Sequence, residues 1–196
     1  MYNFYCNKLN ITIPPLIQDV DTLELNDTRV SQLSLDLMHP EMKNFLSSLQ
    51  ITVPWIQIFY REPGGNSPVH TDGEFGDYVK LNFIYDGESS AKMNWFEPIK
   101  PVETKEQLSD IKFTDTNYRY IEWNRKEVTK VHSEYLNGSY LIQVGKPHSI
   151  SHVKHIRYCI SFILNKENKR VTMADACNIF NKWRAVSDSN ARPPSS

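Results

Sequence analysis

Cysteine is scarce: Cys6, Cys159 and Cys177 in 196 residues are odd in number and widely spaced. That excludes a disulfide framework, and the lack of any CxxC pair excludes a zinc ribbon. A reducing compartment is the simpler expectation. Net positive charge is also lacking, since the formal charge of -1 leaves no general footprint for nucleic acid or an anionic membrane. No stretch reaches the roughly 20 apolar residues of a membrane span, and Met1 to Pro15 lacks a basic segment followed by an apolar run. A soluble, cytoplasmic protein is therefore expected. Gly64-Gly65 is not a dinucleotide fingerprint, so a doubly wound nucleotide fold is not expected, and no internal repeat is present.

Aromatic residues are plentiful and stand among β-branched ones, a composition that suits pleated sheet. Short runs of this kind recur: Val53 to Tyr60, Val79 to Tyr85, Lys92 to Glu97, Tyr140 to Val144 and Arg157 to Leu164. The second and third read as a hairpin across Asp86-Gly87 and Glu88-Ser89-Ser90. Helical spacing occurs twice. Pro40 to Leu49 places Met42, Phe45, Leu46 and Leu49 on one face behind an early proline. Thr172, with Asp175 three residues later, opens a second segment through Ile179, Phe180 and Trp183.

Many short strands flanked by a few helices predict a mainly β fold, an antiparallel sandwich or jelly roll. Residues 1–186 read as a single domain with its core at about 51–165 and a C-terminal helix at about 172–186. The polar tail, 187–196, reads as disordered. Ile99 to Asn137 reads as a polar insertion, with a hairpin of Tyr118–Trp123 against Val128–His132 around Asn124-Arg125. Such an insertion either roofs a site or is a solvated embellishment.

The chemistry-bearing pattern is His70-Thr71-Asp72. Side chains alternate faces along a strand, so His70 and Asp72 project into the same space. A third ligand from another segment completes a facial set and leaves the opposite side of a metal open. His148, His152 and His155 are the late candidates. Polar Ser151 to Lys154 suits a turn between two strands, which puts His152 in the turn and His148 late on the incoming strand. His148 is therefore preferred. His39 and His132, in turn-like or charged contexts, read as surface residues.

These residues resemble the Fe(II)/2-oxoglutarate-dependent dioxygenases built on a double-stranded β-helix (cupin-like). The resemblance spans roughly Trp55 to Leu164. The family's order is His-x-Asp, a distal histidine, and about ten residues later a basic residue that binds the far carboxylate of 2-oxoglutarate. Here His148 follows Asp72 by 76 positions and Arg157 follows His148 by nine. Phe59-Tyr60-Arg61-Glu62-Pro63-Gly64, Leu81-Asn82-Phe83-Ile84-Tyr85 and Pro147-His148-Ser149-Ile150 look like the prolyl-hydroxylase-like and small phage and bacterial branch. Two positions depart from it: Ser67 stands where that branch commonly has a cosubstrate-binding tyrosine, and Cys159 where a serine is frequent.

The resemblance implies Fe(II) held by His70, Asp72 and His148, and 2-oxoglutarate anchored by Arg157, with dioxygen as co-reactant. It also implies hydroxylation of a peptide, amino acid or other small molecule with release of succinate and CO2. Asn82, on the face shared with Lys80 and Ile84, is either a polar contact to cosubstrate or substrate or a sheet hydrogen-bonder. Tyr60 is either a second contact or a packing residue. Two other classes suit the same residues: a non-catalytic jelly-roll binding module, and a cupin-like metal enzyme that needs no 2-oxoglutarate. No nucleic-acid or membrane partner is expected.

Overall fold

The computed structural model describes residues 2–23, 30–73, 75–85, 91–100, 111–113 and 119–185. The expected turn at residues 86–90 and the expected disordered tail at 187–196 lie outside the described residues. Fourteen strands are present among those described. In chain order they are β1 Cys6–Leu9, β2 Val30–Leu33, β3 Ile56–Arg61, β4 His70–Asp72, β5 Val79–Tyr85, β6 Lys92–Pro98 and β7 Ile111–Phe113. There follow β8 Arg119–Glu122, β9 Val128–Tyr135, β10 Gly138–Gln143, β11 His148–Ser151, β12 Arg157–Ile163, and the small pair β13 Asn165–Lys166 and β14 Lys169–Arg170.

Two six-stranded antiparallel sheets carry the architecture, one in the order β1-β10-β5-β12-β3-β2 and the other β7-β8-β4-β11-β6-β9. From β3 to β6 the chain changes sheet at every step, and after β9 it alternates again through β10, β11 and β12. The hairpin expected of Val79–Tyr85 against Lys92–Glu97 therefore does not form: β5 pairs with β10 and β12, and β6 with β11 and β9 in the other sheet. The four-strand centres, β10-β5-β12-β3 and β4-β11-β6-β9, form a double-stranded β-helix, a jelly roll.

Strand alternation gives the first sheet two unlike faces. Ile58, Val79, Leu81, Leu141, Ile160 and Phe162 belong to an outer cluster that also holds Met42, Leu46, Met173 and Phe180. The helices α1, Pro40–Ser48, and α2, Met173–Ile179, supply those last four partners or border them. Pro40 starts α1, and the His39 ring nitrogen accepts from the Glu41 N–H. Thr172 caps α2 by accepting from the Asp175 N–H at 3.2 Å while its hydroxyl donates to the Asp175 carboxylate at 2.8 Å. Helix α2 stops at Ile179, and a separate 3-10 turn, Asn181–Trp183, replaces the end of the longer expected helix. The inner face packs on the second sheet through Ile84, Ile142, Cys159, Met93 and Trp95.

Two expectations for residues 99–137 are corrected. Strands β8 and β9 do not pair as a hairpin: β8 adds to the free edge of β4, and β9 pairs with β6. Asn124 caps a 3-10 turn, Arg125–Glu127, that carries the chain from β8, the strand next to β7, to β9 at the far edge of the same sheet. Residues 128–135 are thus a core strand, and the insertion is shorter than expected. No described helix is long and apolar enough to cross a membrane.

Candidate metal centre

His70 and Asp72 occupy the first and third positions of β4, and His148 opens β11 directly opposite His70 in the antiparallel register. His148 therefore begins its strand, where the sequence suggested a late position. The turn before it explains why. Gly145 closes against Gly76, whose N–H donates to the Gly145 carbonyl at 2.9 Å, and a Cβ at Gly145 would meet the Gly76 carbonyl oxygen at 2.5 Å. Gln143 ties the same turn down, accepting from the Tyr78 N–H at 3.0 Å and donating to Asp77 at 2.6 Å. The Asp72 N–H donates to the Val144 carbonyl at 2.9 Å, which brings the two ligand strands together.

The ligating atoms converge. His70 Nε2 lies 3.4 Å and His148 Nε2 3.6 Å from Asp72 Oδ1, and one donor atom from each residue falls within 4.8 Å of the others. Each imidazole is held from behind: His70 Nδ1 bonds the Pro68 carbonyl at 2.9 Å and His148 Nδ1 the Lys146 carbonyl at 2.8 Å. A carbonyl only accepts, so both protons sit on Nδ1 and both Nε2 lone pairs face Asp72. Backbone support of this kind orients metal-bound histidine. Two imidazoles and a carboxylate with an open side are the donor set of a non-haem Fe(II) site, so these residues fit that metal.

The sequence did not single out Lys80 as a partner of this group. Its ammonium, 2 % exposed, donates to Asp72 Oδ2 at 2.6 Å and to Gln57 Oε1 at 2.8 Å. Asp72 therefore offers Oδ1 to the histidines and Oδ2 to a buried cation. Burial pushes the Asp72 carboxyl up, but the Lys80 ammonium beside it outweighs that and holds the group well below the usual carboxylate range. Burial likewise pulls Lys80 down while Asp72 opposes the change. Asp72 is ionised, and Lys80 neutralises part of its charge.

Burial, with His70 adding to it, pushes His148 down to about 4, against the opposing effects of Asp72 and the Lys146 carbonyl. The imidazole is thus neutral at pH 7, the form that binds metal. Between the ordinary value of 6.5 and this lowered one, the unfolded chain takes up a proton that the folded chain refuses. The stability contributed is complete above pH 6.5 and declines as pH falls toward 4. For a fully buried group the loss is on the order of 3 kcal/mol. Urea unfolding of metal-free protein across this range should show the decline, and His148→Gln should flatten it.

A cavity of about 50 Å³ lies over the triad, and Asn82, Arg157, Arg61, Cys159 and Ser67 also line it. Arg157 is 4 % exposed and is the register partner of Arg61 on β3. Asn82 donates Nδ2–H to Cys159 Sγ at 3.3 Å, and its buried Oδ1 has no hydrogen-bond partner among the described residues. Turning the amide over would let the Cys159 thiol donate to Oδ1 and would free the amide N–H groups for another partner. Ser67 Oγ instead accepts from the Ile150 N–H at 2.7 Å.

Tyr60 is not brought to the cavity. It is paired with Tyr158, ring centroids 5.3 Å apart, on the face of β3 opposite Phe59 and Arg61. Alternation from buried Ile56 and Ile58 carried that signal, since Tyr60 continues their row. From the insertion, Tyr120 on β8 sets its ring edge-on to His70 at 6.0 Å, so β8 flanks the triad.

No protein-family model and no curated protein matches the chain. Among solved structures, the X-ray structure of E. coli ycfD aligns at 14 % identity and a TM-score of 0.37, covering 80 % of this chain and 38 % of that one. A structure of YcfD described as a ribosomal oxygenase from Escherichia coli aligns at 14 % identity and 0.33, covering 80 % and 36 %. Peruvianin-I, a cysteine peptidase from Thevetia peruviana latex, aligns at 13 % identity and 0.37, covering 88 % and 96 %. The chain thus spans little more than a third of the ycfD chains it aligns with.

Proposed function

We propose that the chain is an Fe(II)- and 2-oxoglutarate-dependent dioxygenase that hydroxylates an unactivated C–H bond of a peptide, amino acid or other small molecule. One observation carries this: two Nε2 atoms and one carboxylate oxygen converge beside a cavity that also holds the buried cation of Arg157. His70, Asp72 and His148 would hold the iron. Their single negative charge leaves a bound divalent ion net positive, which favours an anionic chelator on its open side. Arg157 would grip the far carboxylate of 2-oxoglutarate with its planar fork.

Bound Fe(II), with dioxygen and 2-oxoglutarate, supplies the oxidising power, and the cosubstrate leaves as succinate and carbon dioxide. The chain's own work is positioning and shielding. Asn82, with its amide turned over, would donate to a cosubstrate or substrate oxygen, and apolar Phe59, Met93 and Ile150 limit water around the centre. We further read residues 1–186 as one domain. A cytoplasmic setting suits its three free, buried cysteines.

The test is consumption of 2-oxoglutarate by Fe(II)-loaded protein with and without oxygen. Consumption that needs both iron and oxygen supports the proposal. A folded, iron-loaded protein that consumes none is a binding module, and turnover of another substrate without oxygen is the chemistry of a different metal enzyme. Arg157→Ala should raise KM for 2-oxoglutarate about 10- to 100-fold, the worth of hydrogen bonds to a charged group, with a smaller change in kcat.

A further inference from the structure

Away from the triad, at an open edge of the sandwich, a second group of ligand-type side chains converges. Cys6 lies on β1, the edge strand of the first sheet, and His132 and Glu134 lie two apart on β9, the edge strand of the second. His132 Nε2 is 3.9 Å from Cys6 Sγ and 3.7 Å from Glu134 Oε2, and one donor atom from each residue falls within 4.8 Å of the others. Those are spacings of side chains that share one cation. The sequence placed His132 on the surface, but it is largely covered.

The imidazole is held in place. Tyr5 stacks on it with ring centroids 5.4 Å apart and planes 14° from parallel, and Trp95 packs on it at 5.4 Å. Its tautomer can be read from Asn3. Asn3 Oδ1 accepts the Tyr5 N–H at 2.9 Å, which fixes the amide and turns Nδ2 toward His132 Nε2 at 3.2 Å. An amide nitrogen only donates, so Nε2 carries a lone pair on the side where Cys6 and Glu134 lie. A buried thiol, an oriented imidazole and a solvent-facing carboxylate are a borderline-soft donor set that suits Zn(II) and leaves a fourth position for water or a ligand.

We propose that Cys6, His132 and Glu134 form a second metal site, selective for Zn(II)-class ions, that ties β1 to β9 across the edge of the sandwich. This site is independent of the dioxygenase proposal. The ion would displace the Asn3 amide from Nε2 and link the two sheets where no strand pairing joins them.

The test is titration of the reduced full chain with Co(II) alone, read by the near-ultraviolet thiolate-to-metal charge-transfer band, followed by Zn(II) competition. The triad at His70 contains no sulfur, so the band reports a cysteine ligand. Wild type should develop the band, complete within two equivalents because the triad also takes up Co(II), Cys6→Ser should abolish it, and Cys159→Ser and Cys177→Ser should keep it. Glu134→Gln, at the surface, should weaken Zn(II) binding by more than about 100-fold without unfolding the chain, which keeps the test decisive if Cys6→Ser folds poorly. No band in folded wild type, a band that follows Cys159, or unchanged affinity in Glu134→Gln would overturn the proposal.

Discussion

His148→Ala should abolish iron-dependent 2-oxoglutarate consumption, and His70→Ala should do the same. Losing a partner that merely orients a ligand costs about 10- to 100-fold in metal affinity or activity, so losing the ligand itself should exceed about 100-fold. The two variants should be equivalent because the structure treats the two histidines alike: they face each other across one ladder, and each has Nδ1 bound to a backbone carbonyl. His152 is the internal control. It stands in the turn after β11 with a φ of 61°, its imidazole on the Ser151 hydroxyl, and His152→Ala should leave turnover within about twofold, as expected for an exposed position outside the centre. Initial rates with matched circular dichroism spectra check all three. Full activity in either ligand variant would remove that histidine from the centre.

Lys80→Met should produce the second large effect, on stability. Methionine keeps the length of the side chain but strips the cation from Asp72 Oδ2 and from Gln57 Oε1. Removing one partner of a buried ion pair leaves an uncompensated charge and costs about 3–5 kcal/mol. The penalty should shrink when Fe(II) is added anaerobically, because a cation at Oδ1 supplies part of the missing compensation. Denaturant unfolding with and without Fe(II) measures both quantities. A loss below about 1 kcal/mol would show that Asp72 does not depend on Lys80.

The central strands β3, β5, β6, β10 and β12 were legible as β-branched and aromatic runs, and the His-x-Asp pair through period-two alternation; both are local properties, whereas β1, β2 and β7 were not read. The partnership of His70 with His148 is not local. It depends on β4 and β11 meeting in one register, which the Gly76–Gly145 contact and the Gln143 bonds impose from neighbouring turns. Lys80 was passed over because lysine is almost never fully buried unless paired, and its partner lies in the other sheet. Tyr60 was legible and misplaced, since the row Ile56, Ile58, Tyr60 already assigns it to the helix-covered face. The hairpin expected at 118–132 failed for a different reason. Two adjacent strand-like runs suggest mutual pairing, but the open edges of β4 and β6 offered each run another partner.

The most direct measurement is anaerobic titration of the Fe(II)-loaded protein with 2-oxoglutarate, in wild type and Arg157→Ala, followed by the visible metal-to-ligand charge-transfer band. A band in wild type that requires about 10- to 100-fold more cosubstrate in the variant is the predicted result, establishing the chelate and its anchor together. A folded, iron-loaded wild type that shows no band at saturating 2-oxoglutarate would contradict the dioxygenase account.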